Sequence, residues 1–434
     1  MSAGCRKRGG CSVPTKRLPI VGLVVLVFGC TGLAARKRLN VRLAGVISVK
    51  ESDSIRLEDI DPKGRALVLN RGNGGIRAEN PELLLWDPAR RAFTQRITPD
   101  WGHAAWAEWV PGVDRDPRSI KAIDQEGDML GAFGYNLTFI GPQKTLRKIL
   151  CAPDLKDPSS PYTDQRAQRT LPWGYMHGAV IARYQYGGLV AAAFNFGKRP
   201  RVFLLRPPWK APYASWRMDR FVKALAWSPD GKTLAVLYSN VYDNDFKFIM
   251  PWRGGQPWPT LPDVDLIDIK TGKTRLKFFS GDMETSIVFS PEGKSIYCAG
   301  YDGPTTMRRY VIRQFSASNG KLLREFKKPG LRLKGNLAVS PDGRYLVADA
   351  NSTRWSLGLI FNDVYGYDRR FRFVILDTAT GKVVFKHQQK VGDTTLTLLP
   401  TFAFSPDGKY LYVDPHLHEL GSPEIQVYSL TESH

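Results

Sequence analysis

Two short runs of acidic and histidine side chains are the clearest metal-type patterns in this 434-residue chain. One is Asp414-Pro-His416-Leu-His418-Glu419, and the other is Asp243-Asn-Asp245. Imidazole nitrogens and carboxylate oxygens at this spacing can bind a divalent cation. Short His pairs in loops also arise by chance, and the cysteines show no metal-type spacing. We therefore predict no metal site and no cofactor.

Motifs for covalent catalysis and phosphate binding are missing from the sequence. It contains no Gly-x-Ser-x-Gly nucleophile elbow and no convincing Gly-rich phosphate loop. The chain is therefore not predicted to carry a fused serine-hydrolase domain. Enzymatic activity stays open, and the residues favour a binding platform over an enzyme.

Three long segments rich in aromatic and basic residues are the best candidates for a binding surface. They cover residues 151–174, 240–262 and 351–370. Trp, Tyr and Arg dominate binding hot spots because they bury a large area at low entropic cost. The same aromatic side chains could instead pack as small local cores that hold the segments in place. The candidate partner-binding residues are Tyr242, Trp252, Arg253, Trp258, Trp355, Tyr365, Tyr367 and Arg369.

A repeated turn indicates which elements position these segments. Proline presets φ at the second turn position, an acidic residue follows it, and glycine then takes the left-handed conformation. Apolar strands lie on both sides of each copy, so each copy predicts a β-hairpin. The copies are Ala226-Trp-Ser-Pro-Asp-Gly-Lys232, Val288-Phe-Ser-Pro-Glu-Gly-Lys294, Ala338-Val-Ser-Pro-Asp-Gly-Arg344, Ala403-Phe-Ser-Pro-Asp-Gly-Lys409 and the degenerate Ile60-Asp-Pro-Lys-Gly-Arg65.

A third strand, a second turn and a fourth strand follow these hairpins. That gives four strands per unit, which is the content of a propeller blade. The second turns are Thr271-Gly-Lys273, Asn319-Gly-Lys321, Thr380-Gly-Lys382 and a turn without glycine after Leu83-Leu-Leu-Trp-Asp87.

These motifs resemble the WD40-like propeller repeats of TolB-type bacterial proteins. The signature of those repeats is an apolar strand, Ser-Pro-Asp-Gly-Lys, and a strand that ends in Asp-x-x-Thr-Gly-Lys. The match is specific over residues 222–430 and weak over residues 54–220. Of the Trp-Asp dipeptides typical of eukaryotic WD repeats, Trp86-Asp87 is present. The resemblance implies an all-β fold, a single β-propeller of four-stranded blades.

Counting blades predicts seven, over residues 36–434. Pro111-Gly112 and Tyr186-Gly187-Gly188 are the expected turns of blades two and three, which lack the signature. The last blade has no fourth strand before the C-terminus, and an open sheet edge leaves backbone groups unpaired. We expect the β-patterned segment Leu39–Val49 to supply that strand. The first strands of the blades are predicted to begin near Ser54, His103, His177, Val222, Thr285, Lys334 and Leu398.

Connections between successive strands of a blade alternate between the two faces of the ring. The connections from second to third strand, and from fourth strand to the next blade, share one face. All three long segments are such connections, so they are predicted to cluster there. A propeller hydrolase or lactonase would instead use the mouth of the central channel, with a bound divalent metal. The first strands offer few residues for that alternative: Glu58, Glu108, His177 and Glu284.

Residues 1–35 are predicted to be a targeting segment. Basic residues precede the apolar run from Leu18 to Ala35, a pattern typical of a secretory signal or a signal anchor. Val27-Phe28-Gly29-Cys30 resembles a bacterial lipobox, which implies lipid attachment at Cys30. A lipoprotein signal, an uncleaved anchor and a cleaved signal all stay open. Each places the propeller outside the cytoplasm, in the cell envelope or at a membrane.

The formal charge of +21 arises from 62 basic and 41 acidic side chains. A basic surface attracts nucleic acid, anionic lipid or acidic envelope polymers, although no groove-binding motif supports nucleic acid. The sequence therefore predicts a non-enzymatic scaffold that binds a protein or an anionic polymer through its loop-bearing face. The N-terminal segment is expected to attach it to a membrane.

Overall fold

The structure is a computed structural model that describes residues 38–48, 53–61, 63–64, 67–73, 82–97, 118–123, 129–133, 136–140, 146–151, 180–184, 188–194, 200–207, 211–238, 262–281, 283–302, 309–327, 332–351, 370–390, 400–415 and 424–433. All regular elements within these ranges are β-strands. The described residues contain no helix long and apolar enough to cross a membrane. The residues from Leu39 to Ser433 belong to one compact unit.

The strands are numbered in chain order. Strands β1 to β13 are β1 (Arg38–Ser48), β2 (Asp53–Ile60), β3 (Leu67–Asn73), β4 (Glu82–Asp87), β5 (Ala92–Ile97), β6 (Arg118–Ile123), β7 (Met129–Phe133), β8 (Asn136–Ile140), β9 (Leu146–Cys151), β10 (Val180–Arg183), β11 (Val190–Phe194), β12 (Arg201–Leu205) and β13 (Ala214–Arg217). Strands β14 to β28 are β14 (Val222–Trp227), β15 (Thr233–Tyr238), β16 (Val264–Asp268), β17 (Thr274–Phe278), β18 (Met283–Phe289), β19 (Ser295–Asp302), β20 (Arg309–Ser316), β21 (Leu322–Phe326), β22 (Arg332–Val339), β23 (Tyr345–Asn351), β24 (Arg370–Asp377), β25 (Val383–Lys390), β26 (Thr401–Phe404), β27 (Tyr410–Asp414) and β28 (Glu424–Ser433).

The described strands form seven four-stranded sheets. Six of them are consecutive meanders: β2–β5 (blade one), β6–β9 (blade two), β10–β13 (blade three), β14–β17 (blade four), β18–β21 (blade five) and β22–β25 (blade six). The seventh has the order β1-β28-β27-β26 and is called blade seven. The first strand of each blade contacts the first strand of the next, and β26 of blade seven contacts β2 of blade one. The first strands therefore surround a common axis, as in a β-propeller.

The all-β propeller predicted from the sequence is confirmed. The described residues form seven sheets, which equals the number of blades predicted from the sequence. The number of blades in the complete chain stays a prediction. Strand β1 is the fourth strand of blade seven, hydrogen-bonded next to the C-terminal strand β28. The prediction that a strand from the region of Leu39–Val49 closes the last blade is therefore confirmed. Closure satisfies the edge of β28, which would otherwise stay open.

The repeated turns join the first two strands of blades four to seven. In blade four the Ser228 hydroxyl donates to the Asp230 carboxylate over 2.6 Å and accepts from the Thr233 amide over 2.9 Å. The same two contacts recur around Ser340 in blade six and Ser405 in blade seven. In blade five Glu292 replaces the aspartate, and Ser290 keeps the contact to the amide of Ser295. A serine thus holds all four turns in shape, and an aspartate assists it in blades four, six and seven.

The turn glycines also pack against the preceding blade. Gly231, Gly293, Gly343 and Gly408 have φ between 67° and 74°, the left-handed region that the sequence predicted. A Cβ on Gly293 would lie 3.3 Å from Pro229, and one on Gly64 would lie 3.1 Å from Pro406. The second contact joins blade one to blade seven, so the degenerate first repeat occupies the same place in the ring as the others.

Two turn predictions differ in outcome. Tyr186-Gly187-Gly188 lies in the connection between β10 and β11, as predicted for blade three. Gly188 has a φ of 65°, while Tyr186 and Gly187 lie outside the described residues. Pro111-Gly112 precedes β6, the first strand of blade two, and is therefore not the turn between its first two strands. The connection between those two strands, β6 and β7, covers residues 124–128, which lie outside the described residues. The predicted start near His103 is accordingly wrong for blade two, because the first strand begins at Arg118.

The core consists of apolar layers between neighbouring sheets. One layer joins Tyr297 and Ala299 of blade five to Leu346 and Ala348 of blade six. Another joins Ile47 of β1 to Ile55 of blade one, so the closing strand also takes part in the core. Cys298 is buried in such a layer.

Candidate partner-binding face

The three aromatic-rich segments leave the ring on one face, here called the insertion face. It carries the connections β9–β10, β15–β16 and β23–β24, and the opposite turn face carries the glycine turns. The three connections share a face because the strands of a blade are antiparallel, so every second connection lies at the same end of the strands. The structure therefore places the ends of all three segments on one side, as the sequence predicted.

The candidate residues themselves fall outside the described ranges. This holds for the eight partner-binding residues Tyr242, Trp252, Arg253, Trp258, Trp355, Tyr365, Tyr367 and Arg369, for Cys30, for Glu108 and His177, and for the metal-type residues Asp243, Asp245, His416, His418 and Glu419. Their roles stay predictions. Glu58 and Glu284 lie in the first strands β2 and β18, where the sequence placed them.

The blade-four insertion stands on a hydrogen-bonded stem. The Tyr238 amide donates to the Asp263 carbonyl over 2.8 Å, and the Asp263 amide donates to the Phe278 carbonyl over 3.1 Å. The Asp263 carboxylate accepts from the Ser280 amide and from the Ser280 hydroxyl, each over 2.6 Å. Residues 239–261 thus begin and end at two neighbouring, hydrogen-bonded positions. Such a base fixes where a long connection starts and returns.

Burial of this carboxylate changes its protonation. Asp263 is fully buried, and desolvation raises its pKa to about 6 in spite of the two hydrogen bonds from Ser280, which lower it. Burial disfavours the charged form because the carboxylate loses its hydration. The stem of the insertion therefore contains a group that titrates close to neutral pH.

A charged chain connects the stem to blade five. Arg313, a buried residue of β20, donates from Nη1 to the Ser280 carbonyl over 2.9 Å. Its Nε donates to the Glu325 carboxylate over 3.0 Å, and Lys327 forms a second ion pair with Glu325. A buried guanidinium needs such partners because an unpaired charge is costly in the core. Arg313 therefore holds the connection that follows β17 against blade five.

The other side of the stem is aromatic. The Tyr238 hydroxyl donates to Asp265 over 3.2 Å, and the Arg220 guanidinium lies 4.7 Å from the centre of the Tyr238 ring. Arg220 also donates to the Pro262 carbonyl. Burial, reinforced by the Asp265 charge, raises the pKa of the Tyr238 phenol, so Tyr238 is neutral and acts as a donor. These contacts hold both ends of the insertion from the side of blade three.

A mixed aromatic and polar cluster lies beside the blade-six insertion. His387 of β25 stacks on Phe373, with ring centres 5.1 Å apart, and its Nδ1 is 3.0 Å from the Tyr428 hydroxyl of blade seven. The same hydroxyl donates to Gln426 over 2.8 Å, and Gln426 donates to Gln389 over 2.6 Å. Burial lowers the pKa of His387, so the ring is neutral at pH 7. This network ties blade six to blade seven.

Asp414, the first residue of the predicted metal-type run, has a different contact. Its carboxylate accepts from the Leu57 amide of blade one over 3.0 Å. The bond joins blade seven to blade one where β2 has a bulge between Leu57 and Asp59. The described residues contain no group of three or more His, Cys, Asp or Glu side chains that could hold a metal ion.

The anchoring residues were not predicted as a site. Asp263 and Asp265 could have been noticed, because they are acids next to apolar residues in a strand that reads as core. The partners Ser280, Arg313 and Tyr428 come from neighbouring connections or blades, and no local pattern links them. These side chains fix the ends of the long connections, because each of them makes a polar contact between strands or blades.

Comparison with known proteins supports the fold. No protein-family model matches the chain, and no curated protein matches it. Among solved structures, hydrazine synthase from Kuenenia stuttgartiensis is similar, with a TM-score of 0.51 and 14% sequence identity over 90% of this chain and 99% of that chain. At this identity the likeness concerns the fold alone. With the cycle of four-stranded sheets, it identifies the chain as a β-propeller protein.

Proposed function

We propose that this protein is a non-enzymatic scaffold of the cell envelope that binds a protein or an anionic polymer through its insertion face. The observation that carries the proposal is the blade-four stem. A long segment with five aromatic residues between positions 239 and 261 is held at both ends by buried hydrogen bonds. Binding loops on a rigid frame lose less conformational entropy when a partner binds. The stem contacts therefore fix where the segment leaves the ring and where it returns.

The repeats are further proposed to be of the WD40-like type. Four near-identical Ser-Pro-Asp/Glu-Gly turns support this assignment. We also propose that the N-terminal segment attaches the propeller to a membrane, through a lipid on Cys30 or through an uncleaved apolar anchor. A Cys30→Ala variant that still fractionates with membranes after a high-salt wash would show that a lipid on Cys30 is not required for attachment.

A loop replacement tests the binding face. Residues 240–261 are replaced by a short Gly/Ser linker, which leaves Tyr238, Asp263 and Ser280 in place. We expect the variant to keep its thermal transition and to lose the partners that the intact protein recovers from envelope extracts. The matched control is the double substitution Lys232→Ala and Lys409→Ala on the turn face, which should leave recovery unchanged. Equal recovery by the loop variant and the intact protein would contradict the proposal.

A further inference from the structure

Taken together, the described outermost strands of the blades carry almost exclusively basic charges. Every one of the seven contains Lys or Arg, and Glu325 is the acidic residue among them. The innermost strands, by contrast, mix both signs, with Asp53, Glu58 and Glu284 among them. The basic residues are Arg38, Arg42, Arg96, Arg147, Lys148, Arg217, Arg275, Lys277, Arg324, Lys386 and Lys390.

The same strands expose apolar side chains. Among the described residues, the exposed large hydrophobic side chains lie on an outermost strand or next to one: Leu43, Val46, Phe93, Tyr213, Leu322, Leu323 and Val384. Leu43 is 57% exposed, the largest value in this set. Charges of either sign protect sheet edges against pairing with other chains. Edge protection therefore accounts for the presence of charge, but not for its single sign or for the apolar residues between the charges.

On blades four and five, several of these charges are used within the protein. Arg275 donates to the Ala317 carbonyl of the next blade over 3.0 Å, and Arg324 donates to the Thr378 carbonyl over 2.9 Å. Lys277 pairs with Asp265 over 3.4 Å. These side chains join neighbouring blades or strands, which is a structural role.

On blades six, seven and one the situation is different. The outermost strands there are β25, β1 and β5, here called the outer wall, and none of them contains an acidic residue. Arg42 and Lys386 are exposed and form no ion pair among the described residues. Val384, Leu43, Val46 and Phe93 are exposed on the same three strands. The outer wall is therefore basic and apolar at once.

We propose that the outer wall binds the surface of an anionic phospholipid membrane. Basic side chains attract lipid headgroups, and exposed apolar side chains enter the boundary between headgroups and acyl chains. A second copy of this chain would present the same positive charge and be repelled. A soluble polyanion would attract the charges but gains nothing from Leu43, Val46 or Val384. This surface is separate from the insertion face, so the inference does not depend on partner binding at that face.

The position of the wall along the chain supports this occupant. The apolar run from Leu18 to Ala35 ends shortly before β1, and Arg36 and Lys37 lie between them. If that run enters a membrane, two residues separate it from the wall. A connection this short would keep β1, which carries Arg42 and Val46, close to the bilayer.

The test uses the full chain in lipid nanodiscs. One set contains phosphatidylcholine alone, and the other contains equal parts of phosphatidylcholine and phosphatidylglycerol, each with a brominated lipid as quencher. An environment-sensitive fluorescent amino acid replaces Val46 in one sample and Tyr213 in another. Tyr213 is also exposed, but it belongs to blade three, three positions around the described cycle from blade seven. We expect several-fold stronger quenching at Val46 than at Tyr213 in the anionic discs, and a clear loss of the difference at about 1 M salt, where the Debye length is about 3 Å.

Charge reversal provides the matched variants. Arg42→Glu with Lys386→Glu should abolish the stronger quenching at Val46, whereas Arg217→Glu on the outermost strand of blade three should leave it unchanged. Equal quenching at both probe sites, or quenching that survives the double reversal, would overturn the proposal. So would an equal response of the Val46 probe to a dissolved DNA duplex without lipid, because that result would identify a polyanion site. Replacement of the blade-four loop should not affect any of these signals.

Discussion

Asp263 shows how single residues serve the insertion face. Its carboxylate is buried at the foot of the blade-four insertion, where Ser280 supplies two donors. Its pKa of about 6 lies above the ordinary value of 3.8. The folded protein therefore binds a proton at this group more tightly than the unfolded chain does. By linkage, the stability of the protein falls as the pH rises from about 4 to about 6, and above that range the cost of the buried charge is present in full.

We predict that Asp263→Asn stabilises the protein at pH 7. The asparagine can accept from the Ser280 amide and donate to the Ser280 hydroxyl, while the buried charge disappears. The expected gain in the free energy of unfolding is of the order of 1–3 kcal/mol at pH 7 and close to zero at pH 4. Urea denaturation at the two pH values measures the difference.

The control for this substitution is Ser280→Ala. It removes one donor from the buried carboxylate and should destabilise the protein at pH 7 by about 1–2 kcal/mol. A gain from Asp263→Asn that is the same at both pH values would show that the charge of Asp263 is not the cause.

At the level of the element, the blades depend on glycines in left-handed conformations. Gly320 in blade five and Gly408 in blade seven both have a φ of 71°. Their surroundings differ, because a Cβ on Gly320 would lie 2.9 Å from the Cβ of Phe278, while one on Gly408 would lie 3.7 Å from Pro341. The two positions therefore separate backbone strain from crowding between blades. The turn between β4 and β5 of blade one has no glycine, and Arg91 takes the left-handed conformation there with a φ of 51°.

We predict that Gly320→Ala destabilises the protein more than Gly408→Ala. The left-handed conformation costs an alanine about 1–2 kcal/mol at either position, and the clash with Phe278 adds roughly 1–3 kcal/mol at Gly320 alone. Gly45→Ala in β1 is the control, since a Cβ there meets nothing within 4 Å. Thermal unfolding of the three variants gives the ranking. Equal losses at Gly320 and Gly408 would mean that the blades adjust without cost.

The sequence predicted these elements to different degrees. Ser-Pro-Asp-Gly turns contain their own geometry, because serine, proline and glycine act within a few residues, and the hairpins of blades four to seven could be placed from them. Blade two has no such turn, and Pro111-Gly112 was chosen because these residues favour bends in general. The sequence between β6 and β7, residues 124–128, contains Gly127 within a polar run and has no proline to mark it.

For the whole molecule, closure of the ring was predictable and the anchoring network was not. Counting strands in the last repeat left one strand missing, and the β-patterned segment Leu39–Val49 could supply it. The contacts of Arg313 with Ser280 and of Tyr428 with His387 join residues that are 33 and 41 positions apart. Their pairing depends on how neighbouring blades are rotated against each other, and no spacing in the sequence encodes that rotation.

Closure by β1 should make the two ends of the chain depend on each other for stability. Ile47 of β1 is buried and packs with Ile55 and Leu57 of blade one and with Tyr412 and Ile425 of blade seven. We predict that Ile47→Ala lowers the free energy of unfolding by about 2–5 kcal/mol, as for other large-to-small substitutions in a packed core. The substitution should destabilise both blades, because the Ile47 side chain belongs to the apolar layer between them.

Val46→Ala is the matched control for the closing strand. Val46 is the preceding residue of the same strand and is 42% exposed, so its truncation should change stability by no more than about 0.5 kcal/mol. Hydrogen exchange locates the effect: in Ile47→Ala, amides of β2, β27 and β28 should exchange faster together, while those of β14 and β15 on the far side of the ring change little. Faster exchange confined to β1 would show that the strand is an appendage of blade seven and not the closure of the propeller.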